Sequence, residues 1–372
     1  MTNRIVTRIL VYVILHKTPS MYFNRIKYLV AFVPHVGVLQ AVLFDGIFTW
    51  MSMIYLLLLL PIIEILFGQN KSNLDENKIE RVSHERWYDF LLFIMVPIQY
   101  GLLFYFLYHI SFHEMTTFEY IGNITSMGVL SGTIGINVAH ELGHRSTALE
   151  KFLSKALLLT SGYLHFFIEH NRGHHKKVST REDPASARYG ETLYFFWMRS
   201  IVTSYISAWR IENERLRKIG SSIFSLKNEM IQFQIVQLIF IGIVFAIFDV
   251  NGIIGYLGCS LTGILLLESV NYMQHYGLTR KLKEDGKTYE QVVPAHSWNS
   301  AYPVGRILLF ELGRHSDHHY KTSKKYQVLK HKEDSPQMPT GYTGMMTLAL
   351  LPPIWFWIMN PLVEKYSSRI AV

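Results

Sequence analysis

Long apolar runs constrain this chain more than any other feature. Six stretches, Tyr28–Leu43, Ile47–Phe67, Phe90–Ile110, Tyr120–Ala139, Gln232–Phe248 and Ile253–Val270, carry at most one formal charge each. Hydrocarbon offers no partner for an unpaired backbone amide, so an α-helix of about 20 mostly apolar residues is the element that crosses it. The turn sequences Asp45-Gly46 and Asp249-Val250-Asn251-Gly252 split the runs into pairs. The pattern predicts an all-α integral membrane protein with about six transmembrane helices in three hairpins, as a single domain over residues 1–372. Composition agrees: charged residues are 17% of the chain, against about 25% in a soluble domain.

Charge placement orients the hairpins. Arg4, Arg8, Lys17, Arg25 and Lys27 precede the first run, and Lys71, Lys78, Arg81 and Arg86 lie between the second and third. Residues 145–229 and the tail after Arg280 are also rich in Lys and Arg, whereas the other three connections hold none. Lys and Arg concentrate on the cytoplasmic side of a membrane. Both termini and the segments 140–231 and 271–372 are therefore expected in the cytoplasm, in the cell (inner) membrane. No small-residue cleavage site follows the basic N-terminus, so a cleaved signal peptide is not expected. The apolar run Met345–Met359 is broken by Pro352-Pro353 and reads as an interfacial or docked segment, with a seventh span as the alternative. The net charge of +8 fits contact with an anionic membrane surface. No nucleic-acid role is expected, because the basic residues are interrupted by apolar runs.

Nine of the 17 histidines fall in four clusters at one expected membrane face: His140 and His144; His170, His174 and His175; His275; and His315, His318 and His319. Spacings of three to five residues place cluster members near one helix face. Packing so many imidazoles together without a metal would leave polar groups unpaired and repelling once protonated. Read alone, His140-Glu-Leu-Gly-His144 has the H-E-x-x-H spacing of a zinc protease. A tetrahedral zinc site takes too few ligands to use nine, and nine suit two ions with four or five each. Imidazole is compatible with zinc, copper, iron or nickel, and open positions for dioxygen favour iron. His16, His35, His84, His109, His113, His165 and His331 read as hydrogen-bonded structural residues. The single cysteine, Cys259, reads as a small buried hydrophobe and excludes a cysteine-based metal site.

The wording around these histidines resembles the integral-membrane desaturase and hydroxylase superfamily. It is most similar to the membrane alkane 1-monooxygenase family and its relative, xylene monooxygenase. The stretches that carry the resemblance are HELGHR from His140, EHNRGHH from Glu169, EDPASARYGE from Glu182, NYMQHYGL from Asn271, HSWNS from His296, LGRHSDHH from Leu312 and QMPTGY from Gln337. Pro61-x-x-Glu64 with Gly68 and Asn73 in the second run also fits. Two stretches depart from the family. Gln274 stands where the family has Glu, and Ala301-Tyr302 follows Ser300 where the family continues with Asn-His. A carboxylate role is therefore not carried over to position 274.

The resemblance implies a cytoplasmic helical cap with a histidine-rich di-iron site. The nine clustered histidines would be its ligands and O2 its co-substrate, in terminal hydroxylation of an apolar, methyl-bearing hydrocarbon to a primary alcohol. Lipid desaturation or hydroxylation and xylene-type methyl oxidation are the alternatives. Glu141, Glu169, Asp183, Glu268 and Asp317 are expected to orient the imidazoles, with Gln274 and His296 close by. Phe44, Phe48, Trp50, Met51 and Met53 are candidate walls of a substrate channel. With one cysteine the chain holds no rubredoxin of its own. A separate rubredoxin or ferredoxin and its reductase would supply electrons, beside the lipid and hydrocarbon partners.

Overall fold

The computed structural model describes residues 21–370. The basic positions Arg4, Arg8 and Lys17, His16 and the signal-peptide question lie outside the described residues. The elements are α1 (Asn24–Leu43), α2 (Gly46–Phe67), α3 (Glu76–Ser83), α4 (Arg86–Phe112), α5 (117–143), α6 (Ala148–Thr160), α7 (166–177), α8 (Leu193–Lys218), α9 (Glu229–His275), α10 (Pro303–Leu308), α11 (His315–Tyr320), α12 (Tyr342–Ala349) and α13 (Pro352–Ile370). No strand forms among the described residues.

Four elements, α1, α2, α4 and α9, are long and apolar enough to cross a membrane. This makes the chain a multi-pass membrane protein, with four such spans rather than the six expected. Two physical reasons account for the difference. The run 120–139 is helical, but its Gly, Ser, Thr and Asn make it less apolar. It is the sheathed centre of the bundle, and every residue from 126 to 143 is buried. The last two expected spans form one 47-residue element broken at Asp249, whose φ is 54°. The two legs fold back on each other. Gln237 and Tyr256, from opposite sides of the break, donate to the Gly162 and Leu159 carbonyls of a single turn, and the Phe240 and Tyr256 rings meet at 5.2 Å.

Close approach at the centre depends on small residues. Gly132 of α5 lies against Gly263 of α9, and a Cβ on Gly132 would sit 2.8 Å from the Gly263 carbonyl oxygen. Where lipid removes the hydrophobic drive between helices, such contact is a main source of adhesion. Gly132→Ala is expected to destabilise the bundle by about 1–3 kcal/mol, seen as a lower unfolding temperature in detergent.

The two ends of the bundle differ in chemistry. At one end Gly46 N–H donates to the Glu119 carboxylate at 2.8 Å, and Tyr120 OH reaches the Asn251 carbonyl at 3.4 Å. The three connections without Lys or Arg meet there. At the other end lie His140, in the last turn of α5, and His275, the last residue of α9. The run Met345–Met359 is docked: it splits into α12 and α13 at Pro352, with Met345, Trp355 and Met359 buried and Trp357 exposed. Cys259 is buried, its thiol donating to the Tyr256 carbonyl.

Candidate metal centre

Each histidine cluster is set by its local backbone. Three π-helical turns interrupt the helices, at Tyr55–Leu59, Ser131–Ile136 and Glu169–His174. A π turn inserts one residue and so rotates the rest of its helix to a new facing, and here each turn contributes to one cavity beside the histidines. In α11, His315, His318 and His319 share a face by i, i+3, i+4 spacing. Entry to α11 runs through Phe310 and Glu311 at φ 51° and 61°, a left-handed conformation costly for residues with a Cβ. Buried Glu311 accepts from Lys27 at 3.0 Å and Tyr28 at 2.9 Å, and lies 3.2 Å from Arg306 and 3.4 Å from Arg314. Burial raises its pKa, but these cations prevail and hold it below the usual carboxylate value. Asn299 accepts from Ser316 N–H at 2.8 Å and donates to the Ser316 hydroxyl at 2.7 Å. Together these contacts lock the turn that carries His315.

All nine clustered histidines converge in two adjoining groups: His140, His144, His170, His175 and His318; and His174, His275, His315 and His319. Within each group the ligand nitrogens lie within 4.8 Å of one another. His175 Nε2 is 3.1, 2.9 and 3.3 Å from the Nε2 atoms of His144, His170 and His318. One nitrogen holds one proton or one lone pair, so hydrogen bonding cannot satisfy three such neighbours. Nitrogens about 3.0 Å apart are what bonds of about 2.1 Å at right angles would give, whereas a tetrahedral ion would spread them to about 3.4 Å. The donor set therefore fits two metal ions with open positions better than closed zinc sites.

Most of the clustered imidazoles outside the spans are biased toward the neutral form that a metal ligand needs. Burial, then the neighbouring imidazoles, holds His144, His170, His175, His315 and His319 well below the ordinary histidine pKa, and His318 is pushed down to about 3. His174 is the exception. Burial lowers it, but the Asp183 carboxylate, with Glu169 and Glu268, more than offsets this. Its Nδ1 donates to Asp183 at 2.9 Å, and Asp183 also accepts from the Ser186 hydroxyl at 2.6 Å.

The other expected carboxylates have different described partners. Glu141 accepts from Arg145 Nη2 at 2.6 Å and from Tyr326 N–H at 3.2 Å. That occupies the group a protease would need as its base. Glu169 accepts from Ser207, Glu268 from Tyr163 and Ser200, and Asp317 from Lys324 and Lys330 N–H. His296 is buried outside both groups, 3.2 Å from Glu290. Gln274 donates to Tyr342 OH at 2.6 Å, and its neighbour His275 is a ligand candidate.

A narrow, almost wholly apolar cavity borders both groups, with His140, His170 and His315 in its wall. Leu56, Leu60, Gly132, Leu266, Leu308 and Met346 line it, and Thr133, Asn137, Asn271, Gln274, Tyr342 and Thr343 are the polar residues beside the histidines. Phe44, Phe48, Trp50, Met51 and Met53 are not in this wall. Trp50 donates to the Phe118 carbonyl, and His140 lies about 30 Å further along α5 at 1.5 Å per residue. Sequence periodicity missed the cavity because its walls come from separate elements. The π turn at Tyr55–Leu59 carries no sequence signal in a uniformly apolar helix.

The Fatty acid desaturase family model matches residues 120–349, the stretch that holds every clustered histidine. Alkane 1-monooxygenase 1 of Pseudomonas aeruginosa is 41% identical over 311 residues, 83% of this chain and 81% of that protein. The chain belongs to the alkane 1-monooxygenase family. Alkane 1-monooxygenase 2 of Alcanivorax borkumensis is 36% identical over 339 residues, 91% of this chain and 88% of that protein. A more distant relative is the xylene/toluene monooxygenase hydroxylase component of Pseudomonas putida, 28% identical over 76% of each chain. Membership in this alkane 1-monooxygenase family accords with a centre built from imidazole rather than carboxylate.

Proposed function

We propose that this chain hydroxylates the terminal methyl group of an alkane to a primary alcohol. The balanced step is R–CH3 + O2 + 2e− + 2H+ → R–CH2OH + H2O. The observation that carries the reading is the apolar cavity walled by ligands of both histidine groups. Two non-haem irons held by the nine imidazoles would supply the oxidising chemistry, which no amino-acid side chain offers toward an unactivated C–H bond. The protein's own share is placement. Leu56, Leu60, Leu266 and Leu308 hold a hydrocarbon and exclude water, and His140, His170 and His315 set where the chain end stops. Asp183 keeps the His174 ring in one tautomer and orientation. Family membership and the exposed apolar flanks of α2 and α9 support delivery of the substrate from the bilayer.

The Lys/Arg-bearing end, and hence the centre, is read as facing the cytoplasm in the inner membrane. Electrons would come from a separate rubredoxin or ferredoxin. A cleft beside α7 and α8 supports this: Arg172, Lys176, Lys177, Arg181, Arg188, Arg210 and Lys218 line it, with Asp183 in its wall. Asp183 bonds to His174, so a carrier docked there lies one imidazole from a metal ion. An acidic carrier would be steered into this cleft by its charge. Reversing Lys176 and Arg181 to Glu is expected to raise KM for the reduced carrier about tenfold at low salt, with the difference shrinking as ionic strength rises. Stopped-flow reduction of the metal centre checks this.

The direct test is oxidation of octane, hexadecane, p-xylene and acyl lipids, with rubredoxin and its reductase supplied. Primary alkanols are the expected products. A double bond in an acyl chain, or oxidation of p-xylene alone, would replace this reading by a desaturase or a xylene-type oxidation. One tightly held zinc and no iron after anaerobic purification would remove it altogether.

A further inference from the structure

Glu64 is the one carboxylate on α2, and the helix around it faces outward. Ile65 and Leu66 are 66% and 78% exposed, while Glu64 is 0% exposed. A buried carboxylate is costly unless its oxygens are bonded. Here Oε1 accepts from Gly305 N–H of α10 at 3.2 Å, and Oε2 accepts from the Thr343 hydroxyl of α12 at 2.7 Å. Glycine makes the room, since a Cβ on Gly305 or Gly341 would collide with the carboxylate.

The partners of this carboxylate are themselves wall residues. Gly305 and Thr343 line the apolar cavity together with Leu56 and Leu60, which precede Glu64 by two turns and one turn on α2. The adjacent residue, Tyr342, accepts from Gln274 at 2.6 Å and donates to the Leu312 carbonyl at 3.0 Å. Gln274 precedes His275. One side chain thus ties three helices around the cavity and connects to the metal-bearing end of α9.

We propose that Glu64 is a positioning residue: its carboxylate pins α10 and α12 to α2 and so sets the width of the hydrocarbon cavity. That width governs which carbon of the chain reaches the metal centre. This inference rests on the alkane-hydroxylating reading for its substrate class, but not for its geometry. A purely structural role would lower yield or iron content without moving the site of oxidation.

The test compares wild type with Glu64→Gln and Thr343→Val. Gln keeps the shape but turns an N–H toward one of the donors, and Val removes a single bond. Four readouts are taken: iron per chain, affinity for a nitroxide-labelled alkane, the ratio of primary to secondary alcohol, and kcat/KM from octane to hexadecane. Both variants are expected to keep wild-type iron, to bind the labelled alkane about tenfold more weakly, and to yield a larger share of 2-alkanol. For Glu64→Gln, kcat/KM should fall about ten- to hundredfold, the scale of a misplacement near 1 Å. If Glu64→Gln does not accumulate in the membrane, Thr343→Val decides by the same readouts. Wild-type affinity and product ratio in the variants that fold, or loss of iron without any change in affinity or product ratio, overturns the proposal. Weakened binding with no alkanol even from wild type would uphold Glu64 and overturn the hydroxylase reading instead.

Discussion

Replacing His315 with alanine is expected to abolish hydroxylation, a loss of at least a thousandfold, or about 4 kcal/mol of transition-state stabilisation. His315 belongs to the four-membered group, 3.1 Å from His275 and 2.9 Å from His319. Removing it leaves three ligand candidates and opens a gap in the cavity wall. The five-membered group keeps all its members. Metal analysis of the purified variant should therefore show iron falling by about half, not to zero, because the two groups are separate donor sets. Full iron together with full activity would sink the assignment of His315. The variant should still fold, because α11 is also held through Asn299 and Asp317.

Asp183→Ala is expected to produce the next largest effect. Its carboxylate is the one described acidic group that touches a clustered imidazole, and it holds His174 Nδ1 while the ring's Nε2 faces its group. Loss of such an outer partner costs about ten- to hundredfold in metal affinity or activity. The substitution also frees the Ser186 hydroxyl, which is buried and bonded to Asp183 and to Ser179 N–H. Asp183→Asn keeps an acceptor but removes the charge, and should fall between wild type and Ala. Metal titration of the four-membered group separates the two variants. Equal affinity in wild type and both variants would mean that His174 is oriented by packing alone.

The nine histidines were legible because their spacings repeat within helices and the hydropathy pattern puts every cluster at one face. Both signals are local in the chain. Grouping was not legible. His174 and His175 are neighbours, yet they belong to different groups, because the turn from Glu169 to His174 is π-helical and its geometry is set by packing against α8. The count of spans failed for a related reason. Residues 120–139 read as a lipid-facing helix by hydropathy, but their glycines and serines serve contact with α9. Glu64 shows the opposite case. Its motif was noticed with the second run, but the donors that explain a carboxylate there lie more than 200 residues away in Gly305 and Thr343.

By itself the sequence determined an all-α membrane chain, the gathering of its histidines at one end of the helices, and the chemistry those histidines can support. These rest on local periodicity, charge placement and ligand type, which are properties of short segments. Only the tertiary structure decided which imidazoles stand together in each group, which carboxylate bonds to one of them, and where the apolar cavity runs. Those depend on distances of about 3 Å between side chains from α2, α5, α7, α9 and α11, and such distances are set by packing among elements far apart in the chain.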